Sequence, residues 1–155
     1  MARYKSDLSS FTRELIQEWP GGAIKLFVTF RGLNYRKENC RLFQEGAYTP
    51  LVSEGRRKEQ ICAFARHTDK KAAVVMIPRF WTHMSQNAEE VPFGREIWKD
   101  SWIVIPDEMT GGEFFNIFTG ETVREDTREG KKVLPLDAVL ANFPVALLER
   151  KEGPV

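Results

Sequence analysis

The chain has 155 residues, 42% of them hydrophobic and 29% charged, the composition of a globular domain with its own core rather than of a disordered segment. Lys and Arg number 23 against 22 Asp and Glu, so the formal net charge is +1 and no general positive field favours a nucleic-acid partner. No apolar run approaches the roughly 20 residues needed to cross a bilayer, and the opening Met1-Ala2-Arg3-Tyr4-Lys5 lacks the apolar centre of a secretion signal. Together these predict a cytoplasmic protein with no membrane partner.

The first predicted element is a helix over Asp7 to Glu18. Leu8, Phe11, Leu15 and Trp19 recur there at helical spacing, Ser6 or Asp7 is placed to cap the first turn, and Pro20-Gly21-Gly22 ends it. A second helix is predicted over Ala23 to Glu38 with two apolar stripes, Ile24, Phe27, Val28 and Tyr35 on one and Leu26, Phe30 and Leu33 on the other. A helix apolar over so wide an arc needs cover on two sides, and one β-domain downstream cannot supply both. Ile24, Phe27 and Val28 are the candidate partner-facing positions of this helix.

From Tyr48 the helical period gives way to short β-branched and aromatic runs between turn residues. Strands are predicted over Tyr48 to Ser53, Ile61 to His67, Ala72 to Ile77, Trp102 to Ile105, Glu113 to Phe118, Glu121 to Arg124, Lys132 to Leu136 and Val145 to Arg150. The polar stretches Glu54 to Glu59, Thr68 to Lys70 and Asp126 to Gly130 read as solvated turns between them. Asp137 to Asn142 is predicted as a short helix with Asp137 as its cap, ahead of Pro144. The expected architecture is α+β and mostly β: helices in residues 1–45 packed on an antiparallel β-sandwich in residues 46–155, as one compact unit.

Candidate chemistry is sparse. Acidic side chains are plentiful, but none forms a pair framed by apolar strand ends that could raise one carboxyl pKa while leaving its neighbour ionised, so no catalytic residue is assigned. His67 and His83, the only histidines, have no cysteine neighbours and form no His-Glu-x-x-His helix; they read as surface residues, and no metal or cofactor site is assigned. Ser9, Ser10 and Ser53 sit in no nucleophile elbow, and Gly21-Gly22 and Gly111-Gly112 are turns rather than a phosphate loop. Arg56-Arg57-Lys58 is bracketed by Glu54 and Glu59 as a solvated hairpin. Cys40 and Cys62 lack the spacing of a redox or metal motif and are expected to be unbridged, buried thiols.

Aromatic residues carry the one binding signal. Trp81, Trp98 and Trp102 cluster in one third of the chain, and flat rings are what a protein sets against the apolar face of a pyranose. Trp98 and Trp102 precede or begin a predicted core strand and are assigned to packing. Trp81 opens the longest stretch without predicted structure, and is the candidate carbohydrate or interface contact.

Several runs recur together in one family. Asn142-Phe143-Pro144-Val145-Ala146-Leu147-Leu148-Glu149-Arg150 and Gly46-Ala47-Tyr48-Thr49-Pro50-Leu51 stand with Trp19-Pro20-Gly21-Gly22-Ala23-Ile24-Lys25, Leu42-Phe43, Ala63-Phe64-Ala65-Arg66, Pro78-Arg79 and Trp98-Lys99-Asp100-Ser101-Trp102-Ile103-Val104-Ile105-Pro106. In order and spacing, from about Leu15 to Leu148, this series resembles the C-terminal end of maltooligosyltrehalose synthase, a member of the alpha-amylase clan. The chain departs from the family's usual Asp before the glycine at Pro20-Gly21-Gly22 and from its usual Thr at Ser101.

The resemblance implies a β-sandwich like the C-terminal domain of that clan, preceded by a helix that in the family lies between the catalytic (β/α)8 barrel and this domain. The family's catalytic carboxylates lie in the barrel, upstream of the region matched. What is implied here is therefore a noncatalytic C-terminal portion that stabilises or completes the barrel, with no glucan conversion by this chain alone. Full-length members are (1→4)-α-D-glucan 1-α-D-glucosylmutases, isomerases of trehalose biosynthesis that turn the reducing-end α-1,4 linkage into α,α-1,1. The implied partners are a barrel-bearing catalytic subunit or a second copy, with maltooligosaccharide as the associated sugar. The alternative is a stand-alone carbohydrate-binding or interaction module.

Overall fold

The structure, a computed structural model, describes residues 3–80, 91 and 93–152. Helix α1 spans Arg3–Gln17, α2 spans Ala23–Glu38 and a short α3 spans Cys40–Gln44. α1 starts ahead of the predicted boundary, so Ser6 and Asp7 fall within the helix and do not cap it. A 3-10 turn over Trp19–Gly21 and a left-handed Gly22, φ 75°, separate α1 from α2; a side chain at Gly22 would be strained there. The short α3, too brief for a helical period to mark it, buries Leu42, whose residual exposure is 3%.

Ten strands follow: β1 (Ala47–Pro50), β2 (Ser53–Gly55), β3 (Ile61–His67), β4 (Ala72–Pro78), β5 (Ser101–Val104), β6 (Gly112–Asn116), β7 (Thr122–Arg124), β8 (Asp126–Arg128), β9 (Lys131–Pro135) and β10 (Ala146–Glu152). Two single-turn helices, α4 (Arg95–Trp98) and α5 (Leu136–Val139), lie among them. All pairings are antiparallel and form two sheets, one in the order β1-β3-β4-β10-β6-β7 and one in the order β2-β5-β9-β8. The fold is thus α+β, with helices on a β-sandwich.

Three sequence-level boundaries are corrected. The run predicted as one strand from Tyr48 to Ser53 is two, because the chain leaves the large sheet after Pro50 and enters the small one at Ser53, with Leu51 and Val52 bonded to Ala63 and Val104 on the way. Asp126–Arg128, expected as part of a polar turn, is strand β8; as an edge strand with one neighbour it can be polar throughout. α5 begins at Leu136 with Pro135 ahead of it, so Asp137 lies in the first turn rather than at the cap.

Alternation along the strands divides the apolar residues between two cores. One core lies between the sheets: Ile61, Ala63, Ala65, Val74, Met76, Phe114 and Leu148 from the large sheet meet Ile103 and Leu134 from the small one, with Trp98, Leu136 and Leu140 sealing it. The second lies on the other face of the large sheet, where Ala73 and Leu147 receive Ile24 and Tyr35 of α2, Leu15 of α1, Leu42 of α3, and Ile117, Phe118 and Phe143. The result is three layers, helices over the large sheet over the small sheet. β10 is central to the large sheet, so its residues serve both cores: Leu148 points one way and Leu147 the other.

Two arginines fix the helices to the sheet through backbone carbonyls. Arg31 of α2 donates to the oxygen of Ile117 from Nε at 3.1 Å and from Nη2, and Arg66 of β3 donates from Nη2 to the oxygen of Phe43 at 2.6 Å. Such charge-assisted bonds to an acceptor of fixed position locate a helix end more narrowly than apolar packing does.

The cysteines are unbridged, but both are exposed rather than buried. In Ile61-Cys62-Ala63 the alternation that turns Ile61 and Ala63 into the core turns Cys62 outward. In α3 it is Leu42, not Cys40, that meets the sheet.

Candidate interaction surface

The helical layer presents the feature least expected of a self-sufficient domain. On α2, Ile24 is buried and Phe27 and Val28 are partly buried against the chain's own core, so the stripe chosen from sequence as partner-facing is turned inward. Its register explains this: Ile24, Phe27, Val28 and Tyr35 lie on one side of the helix, and the side bearing Tyr35 is the one that finds Ala73 and Leu147 beneath it. The opposite stripe is open, with Leu26 73%, Phe30 65% and Leu33 60% exposed. Phe11 of α1 adds a further ring at 45%.

Between α1 and α2 runs a groove of about 700 Å³ walled by Leu8, Phe11 and Leu15 on one side and Leu26 and Phe30 on the other. Its floor is Phe27, whose ring meets Phe11 edge-on at 5.6 Å and Phe143 edge-on at 5.9 Å. Lys25, Thr29 and Arg36 lie on the far flank of α2, where they edge two shallower depressions shared with Val28.

The sequence-level contact Trp81 lies outside the described residues, as does His83. Trp98 is fully buried in the inter-sheet core. Trp102 instead stands half-buried on the outer face of the small sheet. Its indole N–H donates to Glu54 Oε2 at 3.3 Å and the Arg128 guanidinium lies 5.5 Å from its ring centre. Glu54 accepts from Lys131 Nζ at 2.6 Å, a bond that holds its carboxyl below the usual range and raises the lysine. With its edge bonded and a cation over the ring, Trp102 is engaged by the sheet itself. Ser101 accepts from Arg57 N–H through its hydroxyl at 3.0 Å.

Every Asp and Glu whose burial is described is at least partly exposed. The two carboxyls displaced from their ordinary range, Glu54 and Asp126, are both lowered, the first mainly by Lys131 and the second mainly by the Thr127 N–H, the opposite of what a general acid requires. Tyr35 is pushed well above its usual range by burial and, secondarily, by the Glu149 carboxylate, which fixes it as a neutral phenol. His67 meets Thr49 Oγ1 at 3.0 Å across the β1–β3 edge. Among the described residues no group of three or more His, Cys, Asp and Glu comes together as metal ligands, and no helix is long and apolar enough to cross a membrane.

No protein-family model and no curated protein matches the chain. Among solved structures, a mutant maltooligosyltrehalose synthase from Arthrobacter ramosus is similar over 90% of this chain, with a TM-score of 0.60 and 21% sequence identity. The match covers 16% of that larger chain. At that identity the likeness speaks for fold: the helices and sheets described here have a counterpart in one segment of that enzyme.

Proposed function

We propose that this chain is a noncatalytic C-terminal portion of a maltooligosyltrehalose synthase-like enzyme, one that stabilises or completes a catalytic barrel. The observation that carries the reading is the fold likeness itself, which takes in 90% of this chain yet only 16% of the enzyme it resembles. The ordered motif series from Leu15 to Leu148 supports the same assignment from the amino-acid sequence. The open stripe of Leu26, Phe30 and Leu33 on α2 supports it too, since a helix that is wedged between two bodies needs an apolar face toward each.

On this reading the chemistry belongs to the partner. Intramolecular transglycosylation needs a carboxylate nucleophile and a carboxylic acid about 5 Å apart across the glycosidic bond, whereas the Asp and Glu side chains among the described residues are all at least partly exposed, and Glu54 and Asp126 are lowered by surface partners. Its contribution is a rigid support: β10 at the centre of the large sheet, two cores sharing that strand, and arginine bonds holding α2 and α3 in place.

The test is complementation. A maltooligosyltrehalose synthase shortened to end before the matching segment is assayed on maltopentaose with and without this chain, and trehalose-ended product is measured by loss of reducing ends. The expected result is product only when both are present. Product from this chain alone would defeat the noncatalytic reading. Absence of product from the mixture, together with retention of this chain on an immobilised maltooligosaccharide, would favour a stand-alone carbohydrate-binding module instead.

A further inference from the structure

We infer that the groove between α2 and the β1–β3 edge of the large sheet is the docking site of a short amphipathic helix of a partner protein, apolar on its inner side and acidic along its border. This groove lies on the flank of α2 away from α1 and is separate from the one the two helices share.

The seat follows from the sheet's width. α2 runs along the β4–β10 pair: Ile24 borders a depression of about 430 Å³ with Pro144 and Val145, and Val28 borders the next, of about 300 Å³, with Val75 and Leu147. Beyond β4 the same face of the sheet continues. Register sets Phe64 beside Val75 and Cys62 beside Ile77, and there Cys62 is exposed and Ile77 is 45% exposed. Tyr48 of edge strand β1, 57% exposed, stands at the far margin with its ring 5.3 Å from that of Phe64. Phe43 closes one end of the groove and Trp19 the other. The β1–β3 pair lies two strand spacings from the β4–β10 pair, about 10 Å, which is the distance at which helix axes pack. A helix laid beside α2 therefore meets α2 and the sheet at once. On the α2 side it meets Thr29 and Gly32, and no atom lies within 4 Å of a Cβ added at Gly32, so close approach is open.

Charge decides what kind of helix fits. Lys25, Thr29, Gly32 and Arg36 fall on one line along α2, at i, i+4, i+7 and i+11. The two cations thus stand at opposite ends of that line, about 16 Å apart at the helix rise. They are the charged residues lining the two depressions, both are exposed, and neither takes part in an ion pair among the described residues. Charged groups at the margins are engaged within the chain: Arg66 donates to the Phe43 oxygen, Arg79 donates to the Glu59 oxygen and lies 3.9 Å from its carboxylate, and Glu45 is paired with Arg41. Glu18, beside Trp19, is exposed and makes no ion pair with Lys25. An apolar groove with an unanswered cation at each end complements an apolar helix face with an acid at each end, and it repels a basic one.

Such a helix comes from another protein. α2 carries Lys25, Arg31, Arg36 and Lys37 against Glu38 alone, and α1 mixes Arg3, Lys5 and Arg13 with Asp7 and Glu14, so neither long helix of a second copy has an acidic border to offer. The mode of recognition is a helix laid in a groove, with apolar anchors toward the sheet and acids reaching the two cations. About three turns suffice to span from Lys25 to Arg36. Because the cations are exposed, their share of the binding is screened by salt.

Fluorescence anisotropy of a labelled synthetic helix, titrated with the whole chain, tests this. The probe has about 14 residues, Leu and Ala along one side and Glu at border positions about 11 apart; a second probe carries Lys in place of Glu. The Glu peptide is expected to bind, less tightly as salt rises, and the Lys peptide to bind ~10-fold or more weakly than it. Lys25→Glu with Arg36→Glu, both at exposed positions, should invert that preference with the far-UV spectrum unchanged. Gly32→Leu, which fills the groove from the α2 side, should weaken the Glu peptide by ~10-fold, whereas Phe30→Ser, in the groove shared with α1, should leave its affinity unchanged. No binding of the Glu peptide at high micromolar concentration would overturn the inference, as would equal binding of the two peptides or a preference that charge reversal leaves in place. Loss of binding in Phe30→Ser but not in Gly32→Leu would move the contact to the other groove and equally overturn it. Phosphatidylserine vesicles held through Lys25 and Arg36, with no peptide bound, would assign the groove to a lipid surface instead. The readout is peptide affinity and not trehalose-ended product, so this inference and the functional proposal can fail separately.

Discussion

Replacing Phe143 by Ala should uncouple the helical layer from the sandwich. Phe143 is fully buried, and its ring lies 5.9 Å from that of Phe27 on α2 and 5.8 Å from that of Phe118 in the loop after β6. Truncation removes the transfer free energy of the ring and leaves a cavity lined by residues that belong to three different segments. A Phe→Ala change in such a site costs about 3–5 kcal/mol, and each lost aromatic pair accounts for about 0.5–1.5 kcal/mol beyond area. Against a typical total of about 5–15 kcal/mol, that is a large fraction of the domain's stability. Phe143→Leu fills most of the space and should cost less than half as much. Equilibrium urea unfolding followed by far-UV circular dichroism and by tryptophan fluorescence gives the measurement. Trp19 packs at the helical core and Trp98 in the inter-sheet core, so the two signals sample both layers. If Phe143→Ala costs under about 1 kcal/mol, the second core is not what holds the helices to the sheet, and the layered account is wrong.

Three further outcomes follow from the same geometry. Tyr35 has its pKa raised in the folded state by burial and by Glu149, so its contribution is whole below the unfolded value of 10.0 and is lost as pH rises above it; thermal unfolding of Tyr35→Phe should be less sensitive to alkali than wild type, and equal slopes would contradict this. Gly55 sits at φ 92°, and an added Cβ would fall 2.1 Å from the Asp100 carbonyl oxygen, so Gly55→Ala should destabilise by several kcal/mol, about 2 or more, and shift the β2–β5 pairing, whereas Gly130→Ala, with no atom within 4 Å of its Cβ, should be limited to the strain of its φ of 77°; equal midpoints in urea would refute the contrast. Cys40 and Cys62 should both react with a thiol reagent in the native protein, and protection of either until denaturant is added would contradict their exposure.

Much of the fold was written in local periodicity. The bounds of α2 are those its sequence pattern predicts, and β3 and β4 carry alternation or continuous apolar character long enough to be read unaided. What the pattern hides is side and partner. The residues Tyr48 to Ser53 look like one strand because β-propensity runs through them without a break, yet Leu51 and Val52 carry the chain from one sheet to the other. Asp126–Arg128 looks like a turn because it is charged, but an edge strand that touches neither core has no need of apolar residues. Cys62 reads as buried because its neighbours are apolar, but in a strand it is the second neighbour that shares its face.

The same distinction decides what can be said of function. The two stripes of α2 were visible as a pattern, but a pattern has no absolute orientation: Ile24, Phe27 and Val28 were as good a candidate outward face as Leu26, Phe30 and Leu33 until the sheet fixed which side Tyr35 must occupy. That orientation has a physical reason. Ala73 and Leu147 lie diagonally across the β4–β10 pairing, Ala73 opposite Glu149 and Leu147 opposite Val75, so at this place the sheet offers a shallow seat beside a bulky side chain, and the Tyr35 stripe brings the ring and the branched aliphatic that pack there. The remaining stripe has three large apolar side chains and no element of the described chain to meet them. Exchanging the stripes by rotating α2 half a turn would carry Lys37, which shares the side of Leu26, Phe30 and Leu33, toward the sheet and turn the Tyr35 ring out into solvent. The outward ridge is therefore a consequence of how the inner face is built, and Leu26→Ser with Leu33→Ser should leave the fold intact while abolishing association with a barrel-bearing partner. Retained secondary structure with lost association is the expected pair of observations; a loss of both would mean that the ridge supports the fold itself.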